Sequence, residues 1–149
     1  MRDRKYTHRT LILLRRSLRK VNSKSMQTFL IISLGAILGA NCRYWLGSWS
    51  AQRFGAAFPY GNLIVNLSGS FILGLFMTLV LDRFLVDPQW RLLVAIGFLG
   101  SYTTFSSYTY ESVNLILGGQ VWSGTLNLFG SSFLGGLAAL LGIWLGRLI

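Results

Sequence analysis

Four runs of mainly apolar residues, each close to the twenty or so that a helix needs to cross a lipid hydrocarbon core, dominate this chain of 149 residues. They extend from about Met26 to Trp45, Tyr60 to Leu81, Arg91 to Leu117 and Trp122 to Arg147. Lipid offers the backbone no hydrogen-bond partner, so runs of this kind are expected as helices. Only 12% of the residues are charged, well below the quarter typical of soluble domains, which excludes an ordinary soluble protein. The expected architecture is a small all-α membrane protein with four transmembrane helices. A short loop, Asp82 to Trp90 with Arg83, Asp87 and Pro88, divides the second and third spans, and Gly118 and Gly119 mark the last turn. No second domain, long linker or low-complexity stretch is visible.

The formal charge of +10 at pH 7 would suggest nucleic acid if it were spread over a surface. Instead nine of the fourteen Lys and Arg precede Met26 against a single acid, Asp3, so residues 1–25 carry +8. The basic patch is a tail. It resembles the first part of a signal peptide, but the apolar run that follows is of spanning length and lacks a small-residue cleavage site near Gly39 to Cys42. An arm on anionic lipid, anchored by Leu11 to Leu14, is a second reading. The third, preferred here, is that Met26 is the initiator, leaving 1–25 untranslated or disordered and 26–149 as the working domain. Without the tail, Arg83, Arg91 and Arg147 on one side face Arg43 and Arg53 on the other, three against two. That balance selects no orientation and allows pairing with an inverted copy; with the tail it becomes twelve against two and favours one orientation.

Small residues recur at helical spacing, Gly35 with Gly39, Gly69 and Ser70 with Gly74, and Gly135 and Gly136 with Gly142 and Gly146. In lipid such rows let helices approach closely, which is their expected role. The single cysteine, Cys42, excludes an intrachain disulfide and is expected to be a membrane-embedded structural thiol. Most of the five tryptophans fall near span ends, where indole rings suit the interface.

The stretch Gly97 to Glu111, GFLGSYTTFSSYTYE, is out of character with a greasy span. Glycine lowers helix propensity and Ser and Thr compete for backbone partners, so a break is expected near residues 100–104. Irregular backbone at membrane depth is tolerated only inside protein or beside a water-filled cavity, and so implies an ion or substrate site; the competing reading is close helix packing. Further polar groups lie inside the spans: Asn62, Asn66, Ser68 and Ser70 in the second, Thr103, Thr104, Ser106, Ser107, Tyr108 and Glu111 in the third, and Asn127, Ser131 and Ser132 in the fourth, with Asn127 and Ser131 on one face. Asn66 fits either an interhelical bond or a ligand donor. Nearly all are neutral donors, an inventory suited to a small anion that must leave again. Arg43 near a span end would draw anions into an entrance or snorkel to the headgroups.

The segments GAILGANCRYWL, PYGNLIVNLSGSFILG and GFLGSYTTFSSYTYE, at these spacings, resemble the CrcB/Fluc fluoride-channel family over residues 26–149. The resemblance implies a passive, potential-driven channel that exports fluoride across the cell inner (plasma) membrane and lowers its toxicity. It also implies an antiparallel, dual-topology homodimer with the third helix broken, two pores and a structural sodium ion at the dimer centre. By match to the motif, the backbone carbonyls of Gly100 and Thr103 would hold the sodium. Phe105 and Tyr108 would line the pore with ring edges, Tyr108 standing where the family has a second phenylalanine and bringing a hydroxyl. Asn66, Thr104, Ser106, Glu111 and Ser131 would complete the pore, Glu111 by accepting a hydrogen bond from a pore hydroxyl, and Arg43 would serve the vestibule. Asn127 departs from the tyrosine of many relatives.

No phosphate loop or metal-ligand cluster occurs and the lone His8 lies in the tail, so no enzyme chemistry is expected. Two other readings are weighed: a small dual-topology, proton-coupled multidrug transporter using Glu111 as its carboxylate, and a non-transporting scaffold. The donor-rich third span argues against both.

Overall fold

The computed structural model describes residues 3–80 and 87–149, with side chains from residue 23 onward. Asp82 and Arg83 of the expected second loop lie outside the described residues. Among the described residues the helical elements are, in order, α1 (Asp3–Phe54), α2 (Tyr60–Thr78), α3 (88–102), α4 (Ser106–Leu117) and α5 (Val121–Leu148). Parts of α3 (Arg91–Leu99) and α5 (Leu126–Gly130) are wound more widely, as π-helix. No strand occurs among the described residues.

Among the described residues three helices are long and apolar enough to cross a membrane: the Ser23–Phe54 part of α1, α2 and α5. The expected first span is therefore longer than Met26 to Trp45, and the helix continues back through Met26 to Asp3. The expected third span is divided into α3 and α4, neither of which alone reaches about twenty residues. Gly55 and Gly119 take positive φ, 81° and 83°, and reverse the chain after α1 and α4, where a side chain would be strained.

Two glycine seams hold the bundle. Along α1 and α3, Gly35 lies against the backbone of Leu93 and Phe98, Gly39 against the Phe98 carbonyl and Gly97 against the Ile32 carbonyl. Along α2 and α5, Gly74 meets the Ala139 carbonyl and Gly142 the Phe71 carbonyl. A Cβ at any of these positions would overlap a neighbouring main chain, so the helices are in contact through backbone, as expected where apolar burial supplies no driving force between helices in lipid. Gly135 and Gly136 depart from the expected packing role: Gly135 has only Ser70 Oγ at 3.7 Å beyond its missing Cβ, and Gly136 has nothing within 4 Å.

The buried apolar centre is small, Val65, Leu99 and Tyr102, with Cys42, Leu46, Val94 and Phe98 packed on it. Cys42 is a free, half-buried thiol in that cluster. Large apolar side chains such as Phe29, Leu34, Ile37, Phe129 and Phe133 point outward, and all five tryptophans are exposed. An apolar exterior of this extent is stable in lipid and would aggregate in water.

Candidate functional site

The break between α3 and α4 is where the polar residues converge. Thr103 turns to an extended conformation, φ −77° and ψ 156°, and the next residue finds its partners on another helix. Thr104 N–H donates to Asn66 Oδ1 at 2.8 Å while Asn66 Nδ2 donates to the Thr104 carbonyl at 2.9 Å. The side-chain amide thus pairs with Thr104 as a second peptide group would. Of the two roles left open for Asn66, the amide fills the interhelical one, with one of its two N–H hydrogens committed. Thr104 Oγ1 then accepts the Ser107 N–H at 3.2 Å, closing the first turn of α4 as a capping side chain does.

These two diversions have a consequence for the carbonyls behind them. In an unbroken helix the Thr104 N–H would serve the Gly100 carbonyl and the Ser107 N–H the Thr103 carbonyl. With both donors turned elsewhere, Gly100 and Thr103 present carbonyl oxygens released from the helical ladder. Oxygens of that kind suit a hard cation. The Thr103 hydroxyl donates its hydrogen to the Leu99 carbonyl at 2.8 Å.

Beside the break runs an open groove of about 440 Å³ between α2, the α3–α4 junction and α5. Asn66, Ser70, Thr104, Phe105, Tyr108, Ser131 and Ser132 line it, together with Gly135 and Gly136, and none of its lining residues carries a charge. Phe105 is 78% exposed and lies edge-on to the buried Tyr108, with ring centroids 5.7 Å apart at 62°. Gly135 and Gly136, with open space beyond them, leave this groove wide.

Not every expected site residue reaches this groove. Ser106 is exposed and does not line it. Glu111, one turn beyond the aromatics, lines a second cavity of about 460 Å³ with Ser50, Asn62 and Asn114. Its carboxylate accepts a hydrogen bond from Asn62 Nδ2 at 2.6 Å, an amide where a hydroxyl was expected. Arg43 lines neither cavity and is half-buried one turn before Gly47, which borders the second. Asn62 stands four residues before Asn66, so the two amides share a face of α2 and serve α4 and the break in turn.

A buried chain of polar groups joins α5 to α4. Ser131 Oγ donates to Asn127 Oδ1 at 3.1 Å, Asn127 Nδ2 to Ser112 Oγ at 2.8 Å, and Ser112 Oγ to the Tyr108 carbonyl at 2.7 Å. Asn127 and Ser131 do share a face, and Asn127 is 1% exposed with its amide oxygen and nitrogen both partnered. Ser112 was not singled out from sequence; its one signal is the four-residue spacing from Tyr108.

A bundle of membrane-length helices sealed by glycine seams, with one helix broken beside an uncharged, donor-lined groove, defines an integral membrane protein built to handle a small polar solute. The chain belongs to the CrcB-like family: the model of the family described as "CrcB-like protein, Camphor Resistance (CrcB)" matches residues 30–143. Among its relatives is a protein of Sulfurihydrogenibium sp. (strain YO3AOP1) named "Fluoride-specific ion channel FluC", 48% identical over 127 residues that make up 83% of this chain and 100% of the relative. Relatives of the same name from Synechococcus sp. (strain JA-2-3B'a(2-13)) and Solibacter usitatus (strain Ellin6076) are 46% and 44% identical over 126 and 121 residues. Those matches cover 85% and 81% of this chain, and 97% and 96% of the relatives.

Proposed function

We propose that this protein is a fluoride-specific ion channel that lets fluoride leave the cytoplasm passively, down the membrane potential. The observation that carries the reading is the uncharged groove beside the clasped helix break. Fluoride is small and strongly hydrated, so a pathway must replace its water with several donors and positive ring edges while keeping net attraction low enough for exit. Hydroxyl and amide groups with no fixed cation in the groove meet that demand, and the names of the relatives agree with it. The driving force is about 2.3 kcal/mol per charge per 100 mV, so no energy-coupling site is needed.

In this reading the working domain is residues 26–149, in the inner membrane of the cell, with four crossings of which the third is α3 and α4 together. Phe105 and Tyr108 present ring edges to fluoride; Asn66, Thr104 and Ser131 supply or arrange donors in the groove, Glu111 lines the neighbouring cavity, Ser106 stands outside both, and Arg43 attracts anions at the vestibule. The groove is open on one side and bordered by unpacked Gly135 and Gly136 and exposed Phe105, which supports closure by a second copy in an antiparallel homodimer. The Gly100 and Thr103 carbonyls, released from the ladder by Asn66 and Thr104, fit a structural sodium ion, whose chemistry would be to hold the two breaks together. Asn66 fixes the break, Thr104 caps the following turn and the aromatic pair shapes the groove.

The test is fluoride efflux from liposomes holding the purified protein, driven with potassium and valinomycin and compared with chloride. Fluoride loss with chloride retained is the expected result, and retention of fluoride by well-folded protein overturns the reading. A Glu111→Gln variant keeps measurable flux if the protein is a channel; complete loss would favour a carboxylate-coupled transporter.

A further inference from the structure

We propose that the Tyr108 hydroxyl is a tether that sets the angle of its ring, with Ser132 as its positioning residue, and is not a donor to the transported ion; this rests on the channel reading above. The phenol oxygen lies 2.7 Å from the Leu128 carbonyl oxygen, to which it donates, and 2.7 Å from Ser132 Oγ. Ser132 Oγ reaches the same carbonyl at 2.9 Å. Three contacts of hydrogen-bonding length join three oxygens, yet the two hydroxyls supply one hydrogen each. The carbonyl has no hydrogen to give, so Tyr108 donates to Leu128 and Ser132 donates to Tyr108. If both donated to the carbonyl, two hydroxyl oxygens would face each other at 2.7 Å with no hydrogen between them. The single Tyr108 hydrogen is thus used within the protein, and none remains for an anion.

The same residue is held at its other end. Its carbonyl accepts from Ser112 Oγ, which Asn127 of α5 in turn engages. Tyr108 is therefore fixed to α5 through both backbone and ring tip, while Phe105 meets it edge-on and stands 78% exposed. Leu128 sits in the π-wound turn of α5, a winding often found at functional positions. What Tyr108 offers the groove is a ring at a set angle, and Ser132 helps to set it.

The experiment compares Tyr108→Phe, Ser132→Ala, Ser132→Thr and the Tyr108→Phe, Ser132→Ala pair in the liposome assay. Tyr108→Phe is expected to slow fluoride efflux about five-fold, the rate equivalent of one neutral hydrogen bond, with chloride still excluded. Ser132→Ala should cost less, Ser132→Thr should restore the rate, and the pair should be no slower than Tyr108→Phe alone. A loss of about a hundred-fold or more in Tyr108→Phe, multiplying effects in the pair, or parental rates in every variant would overturn the proposal. A parent that moves no fluoride would defeat the channel reading alone. The tether is then judged by fluorine NMR of 3-fluorotyrosine-labelled protein, where the resonance missing in Tyr108→Phe must move more on Ser132→Ala than on adding fluoride; the reverse order overturns it.

Discussion

Replacing Asn66 by alanine tests the helix break directly. The substitution removes the acceptor for the Thr104 N–H and the donor for the Thr104 carbonyl, bonds of 2.8 and 2.9 Å. Thr104 is 7% exposed, so both main-chain groups are left with little access to water. An unsatisfied buried group costs about 1–3 kcal/mol, giving about 2–6 kcal/mol for the two. The lower figure applies where water follows into the space beside the groove. At about 3 °C per kcal/mol for a chain of this size, the melting temperature in detergent should fall by about 6–18 °C, read from tryptophan fluorescence or from the surviving monodisperse peak after heating. Asn66→Asp sharpens the test: an ionised carboxylate still accepts the Thr104 N–H but sets its other oxygen against the Thr104 carbonyl, so little of the loss should return. Fluoride flux should not return either, because the new negative charge borders the groove. Melting of Asn66→Ala within about 1 °C of the parent would refute the reasoning, since the clasp would then contribute nothing.

Gly142→Val places side-chain atoms where the Phe71 carbonyl lies, forcing α2 and α5 apart at a cost of at least about 1–3 kcal/mol; size-exclusion chromatography should show loss of the folded species. Gly136→Ala, with nothing within 4 Å of the added methyl, should chromatograph as the parent does, and equal behaviour of the two variants would defeat the seam argument. Replacing sodium with N-methylglucamine should lower the melting temperature, with potassium no substitute, if the freed Gly100 and Thr103 carbonyls hold sodium; melting curves that coincide in all three cations would count against that site.

The helical membrane class and the location of the polar break were legible in the sequence, but for reasons the structure rearranges. The break was expected near residues 100–104 from glycine and hydroxyl content, and it falls at Thr103 to Phe105, just past both glycines. Gly97 remains helical because the residue serves a seam, against the Ile32 carbonyl. What ends α3 is Asn66, an amide 38 residues away in sequence, and no local propensity reports a partner at that distance. The same holds for Gly135 and Gly136. Their spacing matches that of Gly142, yet one set closes a seam and the other borders a groove, because periodicity gives a face and not what stands opposite it.

Asn127 and Tyr108 show where residue type misleads most. An amide in mid-span and a hydroxyl on a groove aromatic both invite assignment as ligands, and both prove to be bonded within the protein: Asn127 to Ser112 and Ser131, Tyr108 to Leu128 and Ser132. In lipid an unbonded polar group costs several kcal/mol, so most such groups are engaged before any ion arrives. A solute that passes through such a protein must be met by donors whose hydrogens outnumber their internal acceptors. Asn66 is such a donor, an amide whose nitrogen carries two hydrogens with one spent on Thr104. Counting hydrogens against acceptors therefore separates Asn66, which fixes the break and still has a donor to offer, from Tyr108, which has none.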